Sequence, residues 1–539
     1  MGMNPFTNLM VAVIALFLFG SSAHADSRPN IVIILCDDMG YSDLGCYGSE
    51  IRTPVLDSLA ADGVRYTQFH NTSKCWTTRA TLLTGQYWQK IAPGKFLTRE
   101  CATIPEVLKD VGYGTYMSGK WHLSPARYQD LNTTPAARGF ERFYGILHGA
   151  TSFFDPFTLT RGFDPIQAPR GENYYFTDSI SDDAAKNIRE HRKKSSDKPF
   201  FMYLAYTAPH WPMHAFEEDI AKYEGVYEIG WDELRQRRFA RMKELGVIST
   251  NAKLSPQNPG AKNWDAVDRK WEARRMAVYA AMIDRMDQGI GRVVRALKET
   301  KSFDNTLILF MSDNGGSPEN IGIGNAIGCL GGKAETREGE KIQVGYGPGV
   351  NPGPETTFQG YGPSWANASC SPFVWWKTMS HEGGVATPFI AHWPKGIRVK
   401  GKINSRDITH LIDLMPTCLE LAQAEYPNRR DGVRIKAVDG ISMVDSLTKG
   451  EPVSNRVLFN EFANKAFVRD GRWKLVTRKV PSEQWELYDL KTDPSELNDL
   501  AGREVERCER MKRLYSEWYA GTGFKPPAKK VKKSKKVKG

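Results

Sequence analysis

The stretch Ile31-Val-Ile-Ile-Leu-Cys-Asp-Asp38 is a short apolar run that ends abruptly in two carboxylates. Three further runs have the same form: Thr115–Met117 precedes Lys120 and His122, Phe200–Ala205 precedes Pro209-His210, and Thr306–Phe310 precedes Asp313-Asn314. Such runs, alternating with helical patterns, are typical of a mainly parallel sheet covered by helices on both faces. The sequence therefore predicts an α/β fold with polar residues after four strands, at the sheet edge where ligands usually bind.

Helical periodicity recurs around these strands, at Val55–Gly63, Ile104–Val111, Trp271–Glu299 and Asp407–Leu421. The segment from Gly315 to Pro363 is instead rich in Gly, Pro and polar residues. Because loops of this length are usually functional or disordered, we expect a long surface excursion there.

The pattern changes after about residue 450, where short alternating runs are separated by turn residues. These runs, which are typical of antiparallel strands, are Arg456–Glu461, Lys465–Arg469, Trp473–Thr477 and Trp485–Tyr488. We therefore predict a large domain over residues 26–449, built on a mostly parallel or mixed central sheet. A smaller α+β domain with an antiparallel sheet follows over residues 450–522, capped by a helix around Val505–Trp518.

The N-terminus has the features of a signal peptide over residues 1–25. An apolar run, Leu9–Phe19, precedes the small residues of Ala23-His-Ala25, which indicates cleavage near Ala25 and a secreted or periplasmic protein. No Lys or Arg precedes the run, so an uncleaved anchor or a misplaced start are the alternatives. Neither this run nor any later segment is long enough for a stable membrane span.

The net charge of +11 comes largely from the C-terminus, where Lys525–Gly539 holds eight lysines and no acid, leaving +3 on the rest. Such a run repels itself and has little apolar surface to bury, so residues 523–539 are predicted to be a disordered tail. Solvation without a specific role is one interpretation, and loose attraction to an acidic polysaccharide or surface is the other. Export makes nucleic acid a poor partner.

The carboxylate-rich strand ends suggest a metal site. Asp37, Asp38, Asp313 and Asn314 offer hard oxygen ligands without imidazole or thiolate, a set that favours calcium or magnesium over zinc. An isolated Asp-Asp pair is usually a helix cap or a solvated turn. Two pairs after separate strands, one followed by the glycines Gly315-Gly316 that permit close backbone approach, favour the metal.

The eight cysteines have no metal-finger spacing and no disulfide-scaffold repeat, so most are expected to be buried small residues. Cys75 differs because it begins the segment Cys75-Trp-Thr-Thr-Arg79, followed by Thr84-Gly85. Taken alone, this segment fits a buried cysteine beside a helix-capping arginine. It also resembles the signature of the formylglycine-dependent type I sulfatases of the alkaline phosphatase superfamily, Cys-x-Pro-Ser/Thr-Arg followed by Thr-Gly.

The resemblance extends from Arg28 to about Asp499, and the stretch Trp365–Pro394 is most similar to the bacterial arylsulfatase branch. The order and spacing of the matching motifs are specific, although each is weak alone. They are Asp37–Asp43, Thr53–Asp57, Gly119–His122, Ala208–Pro212, Ser312–Gly315, Lys377 with His381–Gly384, and Leu487–Pro494.

The resemblance implies a sulfuric ester hydrolase with one calcium ion held by Asp37, Asp38, Asp313 and Asn314. Cys75 would be oxidised by a separate formylglycine-generating enzyme. Its hydrated aldehyde would be the nucleophile and would also contact the metal.

The resemblance also implies roles for five cationic or imidazole side chains. Arg79 would steady the hydrated aldehyde, while Lys120 and His122 assist it and His122 later removes a proton. His210 and Lys377 would hold the sulfate and protonate the leaving alcohol. Cations directed at the ester suit the chemistry, because negative charge accumulates on the sulfate and leaving oxygens in the transition state.

One position departs from the family pattern, since Thr77 stands where the family usually has proline. Slower conversion of Cys75 would follow, because proline helps to present an extended segment to the modifying enzyme. Two alternatives therefore stay open: a phosphomonoester or phosphonate hydrolase on the same scaffold, and a non-catalytic protein that binds sulfated polysaccharide. The substrate, a sulfated small molecule or a sulfated polysaccharide, is left open by the sequence.

Overall fold

The computed structural model describes residues 26–526 except 126–129, 171–173, 320, 323, 325–326, 329, 346 and 481–483. The predicted signal peptide and residues 527–539 of the lysine-rich tail lie outside the described residues. No helix within the described ranges is long and apolar enough to cross a membrane.

The described strands, in chain order, are β1 (Asn30–Cys36), β2 (Val64–His70), β3 (Gly114–Lys120), β4 (Arg142–Ile146), β5 (Leu159–Arg161), β6 (Asp164–Pro165), β7 (Phe200–Ala205), β8 (Thr306–Ser312), β9 (Gln343–Val344), β10 (Thr357–Phe358), β11 (Ala386–His392), β12 (Lys402–Asn404), β13 (Thr409–His410), β14 (Arg429–Arg430), β15 (Val433–Arg434), β16 (Val457–Phe462), β17 (Lys465–Asp470), β18 (Trp473–Thr477) and β19 (Glu486–Asp489). The α-helices span Pro54–Ala61, Cys75–Thr84, Trp88–Ile91, Ile104–Asp110, Phe176–Lys194, Glu217–Ile220, Gly230–Glu244, Arg269–Glu299, Gly362–Ser369, Glu382–Val385, Leu414–Ala422, Val444–Thr448 and Val505–Thr522.

One large mixed sheet has the order β12-β2-β11-β8-β1-β7-β3-β4-β5-β6, and β13 also pairs with β2. Its central strands β8, β1, β7, β3 and β4 are parallel. Strand β11 runs antiparallel to both β2 and β8, and its register shifts at Pro388, the residue that cannot donate to a ladder. The predicted fold class, a large mixed sheet between helices, is confirmed.

The two faces of the sheet pack against different helices. Val32 and Ile34 of β1 belong to the core that contains the long helices Phe176–Lys194 and Arg269–Glu299. The intervening residues Ile31 and Ile33 belong to a second core with helices Cys75–Thr84, Ile104–Asp110 and Leu414–Ala422. Both faces of β1 are therefore buried, which explains its continuous apolar sequence.

The helix predicted over Asp407–Leu421 is shorter than expected and begins only at Leu414. Thr409 and His410 are instead extended, because they pair with β2 as strand β13. The segment Gly315–Pro363, predicted to be a surface excursion, is also partly buried. Phe358 of β10 is fully buried and packs in a small cluster with Ile321 and Ala150.

The C-terminal strands form the predicted antiparallel sheet, in the order β16-β17-β18-β19, and the helix Val505–Thr522 packs on it. Lys474 of β18 is fully buried and pairs with Glu382, which also contacts His70 of the large sheet. A buried charge network thus joins the two sheets. The domain boundary between residues 449 and 450 stays a prediction.

Candidate active site

The four strands singled out from the sequence are direct neighbours in the sheet, in the order β8-β1-β7-β3. Their register aligns Cys36 with Ser312 and Leu35 with Ala205, while Ala205 also faces Gly119. Since all four strands are parallel, the polar residues that follow them meet at one sheet edge. This is the predicted position for a ligand site in an α/β sheet.

The predicted metal ligands lie together at the ends of β1 and β8. The backbone N–H of Asp38 donates to Oδ1 of Asp313 over 3.2 Å, and Nδ2 of Asn314 donates to Oδ1 of Asp38 over 2.7 Å. Burial, reinforced by the charge of Asp313, raises the pKa of Asp37 to about 6. Three carboxylates at such close range repel each other and require nearby positive charge.

Two cations meet the carboxylates from one side. Nη2 of Arg79 donates to Oδ2 of Asp313 over 3.0 Å, and Nη1 donates to the carbonyl of Lys120 over 2.8 Å. Nζ of Lys120, the last residue of β3, pairs with Oδ2 of Asp37. Both cationic side chains are fully buried. The strand ends and the helix Cys75–Thr84 thereby become parts of one charge network.

Lys377 and His210 reach the carboxylates from the other side. Nζ of Lys377 lies 2.8 Å from Oδ2 of Asp38, and Nε2 of His210 lies 3.4 Å from the same oxygen. Burial opposes the charged form of Lys377, but Asp38 and Glu319 together raise its pKa above the ordinary value. Burial lowers the pKa of His210 to about 4 although Asp38 acts in the opposite direction, so its imidazole is neutral near pH 7.

Cys75 is the first residue of the helix Cys75–Thr84 and is buried as a free thiol. An ionised sulfur at this position would raise the pKa of both Arg79 and Lys377, so the three side chains lie near one another. It lines a cleft of about 570 Å³ together with His122 and His210. The structure therefore brings the cysteine to the same place as the carboxylates and cations.

Thr77 and Thr78 show how the segment after Cys75 is held. Oγ1 of Thr77 donates to the carbonyl of Lys74 over 2.7 Å and accepts from Oγ1 of Thr72. Oγ1 of Thr78 donates to the carbonyl of Asp313 over 2.7 Å. Thr77, which stands where the family pattern has proline, thus takes part in the local hydrogen bonds. Thr78 connects the helix to the end of β8.

His122 follows β3 and faces the same cleft. Burial, together with the charge of Lys120, lowers its pKa well below the usual range, so the ring is neutral and can accept a proton. Its Nδ1 atom has no hydrogen-bond partner among the described residues. His122 (φ 64°) and Asp38 (φ 69°) both adopt a left-handed backbone, and such strained conformations cluster at functional sites.

The donor set fits an oxygen-loving divalent cation. Oδ1 of Asp37 and Oδ1 of Asn314 are buried acceptors without a hydrogen-bond partner in the described part of the chain. Ligand atoms of Asp37, Asp38 and His210 lie within 4.8 Å of one another, so this buried group could hold a metal ion. Unpaired carboxylate and amide oxygens are the ligands that calcium and magnesium prefer.

Glu319 is a site residue that the sequence did not reveal. Its carboxylate contacts Nζ of Lys74 and of Lys377, each at 3.1 Å, and accepts from Nε1 of Trp211 over 2.7 Å. It lies at the wall of the cleft beside Cys75. No local pattern marks it, because its neighbours in the Gly- and Pro-rich segment show neither helical nor strand periodicity.

Comparison with known proteins gives consistent matches over most of the chain. The family model described as Sulfatase matches residues 29–424, and the model described as N-sulphoglucosamine sulphohydrolase, C-terminal, matches residues 373–517. The chain is 34% identical to an uncharacterised sulfatase of Schizosaccharomyces pombe, over 92% of this chain and 94% of that protein. It is 35% identical to an arylsulfatase of Klebsiella aerogenes, over 78% of this chain and 92% of that protein. The crystal structure of Ps i-CgsB in complex with k-i-k-neocarrahexaose matches with a TM-score of 0.65 and 25% identity, covering 93% of this chain and 94% of that one.

Proposed function

Because this chain belongs to the sulfatase family, it is a sulfuric ester hydrolase, and we propose that an aldehyde hydrate made from Cys75 is its nucleophile. The reaction converts a sulfate monoester and water into an alcohol or phenol and inorganic sulfate. The observation that carries the proposal is the convergence of Cys75, three carboxylates and three cations at the ends of four adjacent parallel strands.

We propose that a formylglycine-generating enzyme converts Cys75 before the protein becomes active. The change replaces the thiol carbon–sulfur bond by a carbonyl and therefore needs an external oxidant. The position of Cys75 at the start of a ten-residue helix supports its role, because free backbone N–H groups there favour an anion. Arg79, one turn further along the helix, is held by Asp313 and the Lys120 carbonyl and would steady the hydrate.

We propose that Asp37, Asp38, Asp313 and Asn314 hold one calcium ion, with the residue-75 side chain as a further ligand. When bound, the ion supplies positive charge that stabilises the sulfate and lowers the pKa of the nucleophile. The charges of the site support the proposal that a cation binds there. Among the described residues, Asp37, Asp38 and Asp313 form ion pairs with Arg79, Lys120 and Lys377, and Lys377 also pairs with Glu319. These side chains alone thus have no surplus of positive charge with which to attract an anionic ester.

We propose that His122 transfers protons at the nucleophile, whereas His210 and Lys377 do so at the leaving oxygen of the ester. One hydroxyl of the hydrate would attack sulfur and displace the alcohol, which leaves the sulfate bound to that oxygen. Neutral His122 would then accept a proton from the second hydroxyl, so that the C–O bond to the sulfated oxygen breaks, the aldehyde is restored and sulfate leaves without attack of water on sulfur. Lys377 would hold the sulfate and, with His210, protonate the leaving oxygen. The 3.5 Å distance between Nζ of Lys377 and Nε2 of His210 permits the two groups to act on the same oxygen.

Relative turnover of an aryl sulfate and the matching aryl phosphate tests this proposal against a phosphomonoester or phosphonate hydrolase. We expect 4-nitrophenyl sulfate to have the higher kcat/KM, because the family model and the relatives that match the chain over most of its length are those of sulfatases. Faster turnover of 4-nitrophenyl phosphate would assign the protein to the alternative activity. A fully converted protein that binds sulfate esters without turning them over would instead support the non-catalytic sulfated-polysaccharide-binding alternative.

We further propose that residues 1–25 direct export and that residues 26–449 form the catalytic domain of a secreted or periplasmic enzyme. Residues 450–522 would be the small C-terminal domain, and 523–539 the lysine-rich tail. The substrate is a sulfated small molecule or polysaccharide. The relative solved with a neocarrahexaose supports a carbohydrate, whereas the relative named arylsulfatase supports a phenolic ester.

A further inference from the structure

A groove of about 640 Å³ lies between the C-terminal sheet and the edge of the large sheet. Gln68 of β2 and Ser405 after β12 form one wall, and Arg469 of β17 and Lys491 after β19 form the other. The groove shares no lining residue with the catalytic cleft. It is therefore a separate place on the protein, to which the proposed chemistry gives no role.

Arg469 is the unusual residue of this groove, because it is only 2% exposed and lacks an ion pair with any described carboxylate. Its Nε donates to the carbonyl of Gly471 over 2.7 Å, and Nη2 donates to Oε1 of Gln68 over 2.6 Å. Nη1 has no protein acceptor within the described ranges. Burial accordingly lowers the pKa of Arg469. Buried charges are normally paired, and Glu382 and Glu496 act on this guanidinium electrostatically without forming an ion pair with it, so Nη1 stays available to a ligand.

The two acids near Arg469 share a single lysine, Lys474, as their ion-pair partner. Glu382 accepts from Lys474 over 2.6 Å and lies 3.3 Å from His70. Glu496 pairs with the same lysine over 2.8 Å. Their negative charge is therefore shared with Lys474, and neither forms an ion pair with the arginine that faces the groove.

The remaining groove residues favour an anionic ligand with hydroxyl groups. Lys491 is exposed and forms no ion pair with a described residue, so it adds a second available cation. Ser405 and Asn455 add polar groups, while Tyr41 and Phe373 add aromatic surface. Glu382 also lines the groove, where Lys474 pairs with its carboxylate. Oxyanion-binding cations beside polar and aromatic groups are the features with which proteins hold an acidic sugar.

We propose that this groove is a second binding site for a carbohydrate chain that bears sulfate or carboxylate groups, with Arg469 as its buried oxyanion anchor. The planar guanidinium matches the two oxygens of such a group, and the fixed bonds to Gly471 and Gln68 orient it in advance. The choice of a sulfated carbohydrate rests on the proposed function. A chain held here stays bound to the enzyme while esters are cleaved in the catalytic cleft.

The test measures binding to full-length protein in which Cys75→Ala prevents turnover. Isothermal titration with a heparin-derived hexasaccharide is expected to show two sites in this background. Arg469→Gln is expected to abolish one of them or weaken it by about tenfold or more. Arg434→Gln removes the same charge from an exposed residue that lines neither site, and both sites should persist in this control.

Further ligands and variants separate the possible outcomes. Lys491→Gln, at an exposed position that cannot disrupt the core, should also weaken the second site, and Arg469→Lys should restore part of the lost affinity. An unsulfated hexasaccharide should not occupy the site. Identical stoichiometry and affinity in Arg469→Gln and Arg434→Gln would overturn the proposal. Inorganic sulfate that binds as tightly as the hexasaccharide would overturn its carbohydrate part.

Discussion

Replacing Lys377 by methionine tests the buried cation that links the metal ligands to the sulfate. The substitution keeps an unbranched side chain of similar length and removes only the charge and its hydrogen bonds. Lys377 is fully buried, and its Nζ lies 2.8 Å from Asp38, 3.1 Å from Glu319 and 3.5 Å from His210.

The magnitude follows from these contacts. The pair with Asp38 is fully buried, and removing one partner of such a pair costs about 3–5 kcal/mol of stability. Glu319 is 32% exposed, so its pair adds at most about 1 kcal/mol. Loss of one preorganised donor to the transition state lowers kcat by about 10²–10³-fold.

The assay is turnover of 4-nitrophenyl sulfate by Lys377→Met with the conversion of Cys75 quantified in each preparation. Urea unfolding gives the stability of the same samples. Lys270→Met, at an exposed position without a described ion pair, is the matched control and should retain both activity and stability. A converted and folded Lys377→Met protein within tenfold of the parent kcat would refute the reasoning.

Three further predictions concern a buried acid, the modified segment and the metal. Burial raises the pKa of Asp287, which caps the helix Pro54–Ala61, to about 7. The protonated carboxyl of Asp287 therefore stabilises the folded state fully below about pH 4, near the ordinary pKa of an aspartate, and this stabilisation is lost as the pH rises through 7. Asp287→Asn should therefore become more stable relative to the parent between about pH 4 and 8, by up to about 1.4 kcal/mol for each pKa unit, and a pH-independent difference in urea unfolding would contradict this. Thr77→Pro should raise the converted fraction of Cys75, as measured by mass spectrometry. Residue 77 lies in the first helical turn, where proline is tolerated, so the cost in stability is that of the side-chain hydrogen bonds to Lys74 and Thr72. An unchanged fraction would show that proline is not limiting. Removal of divalent ions with EGTA should abolish turnover and lower Tm, and calcium at about 100 times its Kd should restore about 2.7 kcal/mol, whereas an unaffected Tm would argue against the metal site.

The sheet edge could be predicted from the sequence because β1, β7 and β8 are largely continuous apolar runs, and polar residues follow each of them and β3 within a few positions. Parallel pairing then forces Asp37, Lys120, His210 and Asp313 to one edge, whatever the details of the loops. The C-terminal strands were predictable for a similar reason, since their alternation and turn residues are local signals.

The residues that escaped prediction depend on contacts between distant segments. Glu319 has no periodic pattern around it and is identified only by its contacts with Lys74 and Lys377. The segment before Leu414 was predicted as helix from its apolar spacing, but pairing with β2 overrides that local preference. The absence of an ion pair at Arg469 is likewise visible only when β2 and the β17–β18 hairpin meet in the groove.

The most direct test of the proposed nucleophile measures how turnover depends on the chemical state of residue 75. The protein is produced with and without a co-expressed formylglycine-generating enzyme, and the peptide containing Cys75 is quantified by mass spectrometry. We predict that kcat for 4-nitrophenyl sulfate rises in proportion to the fraction of aldehyde and is abolished in Cys75→Ala. Undiminished turnover by preparations that contain only the unmodified thiol would contradict the account.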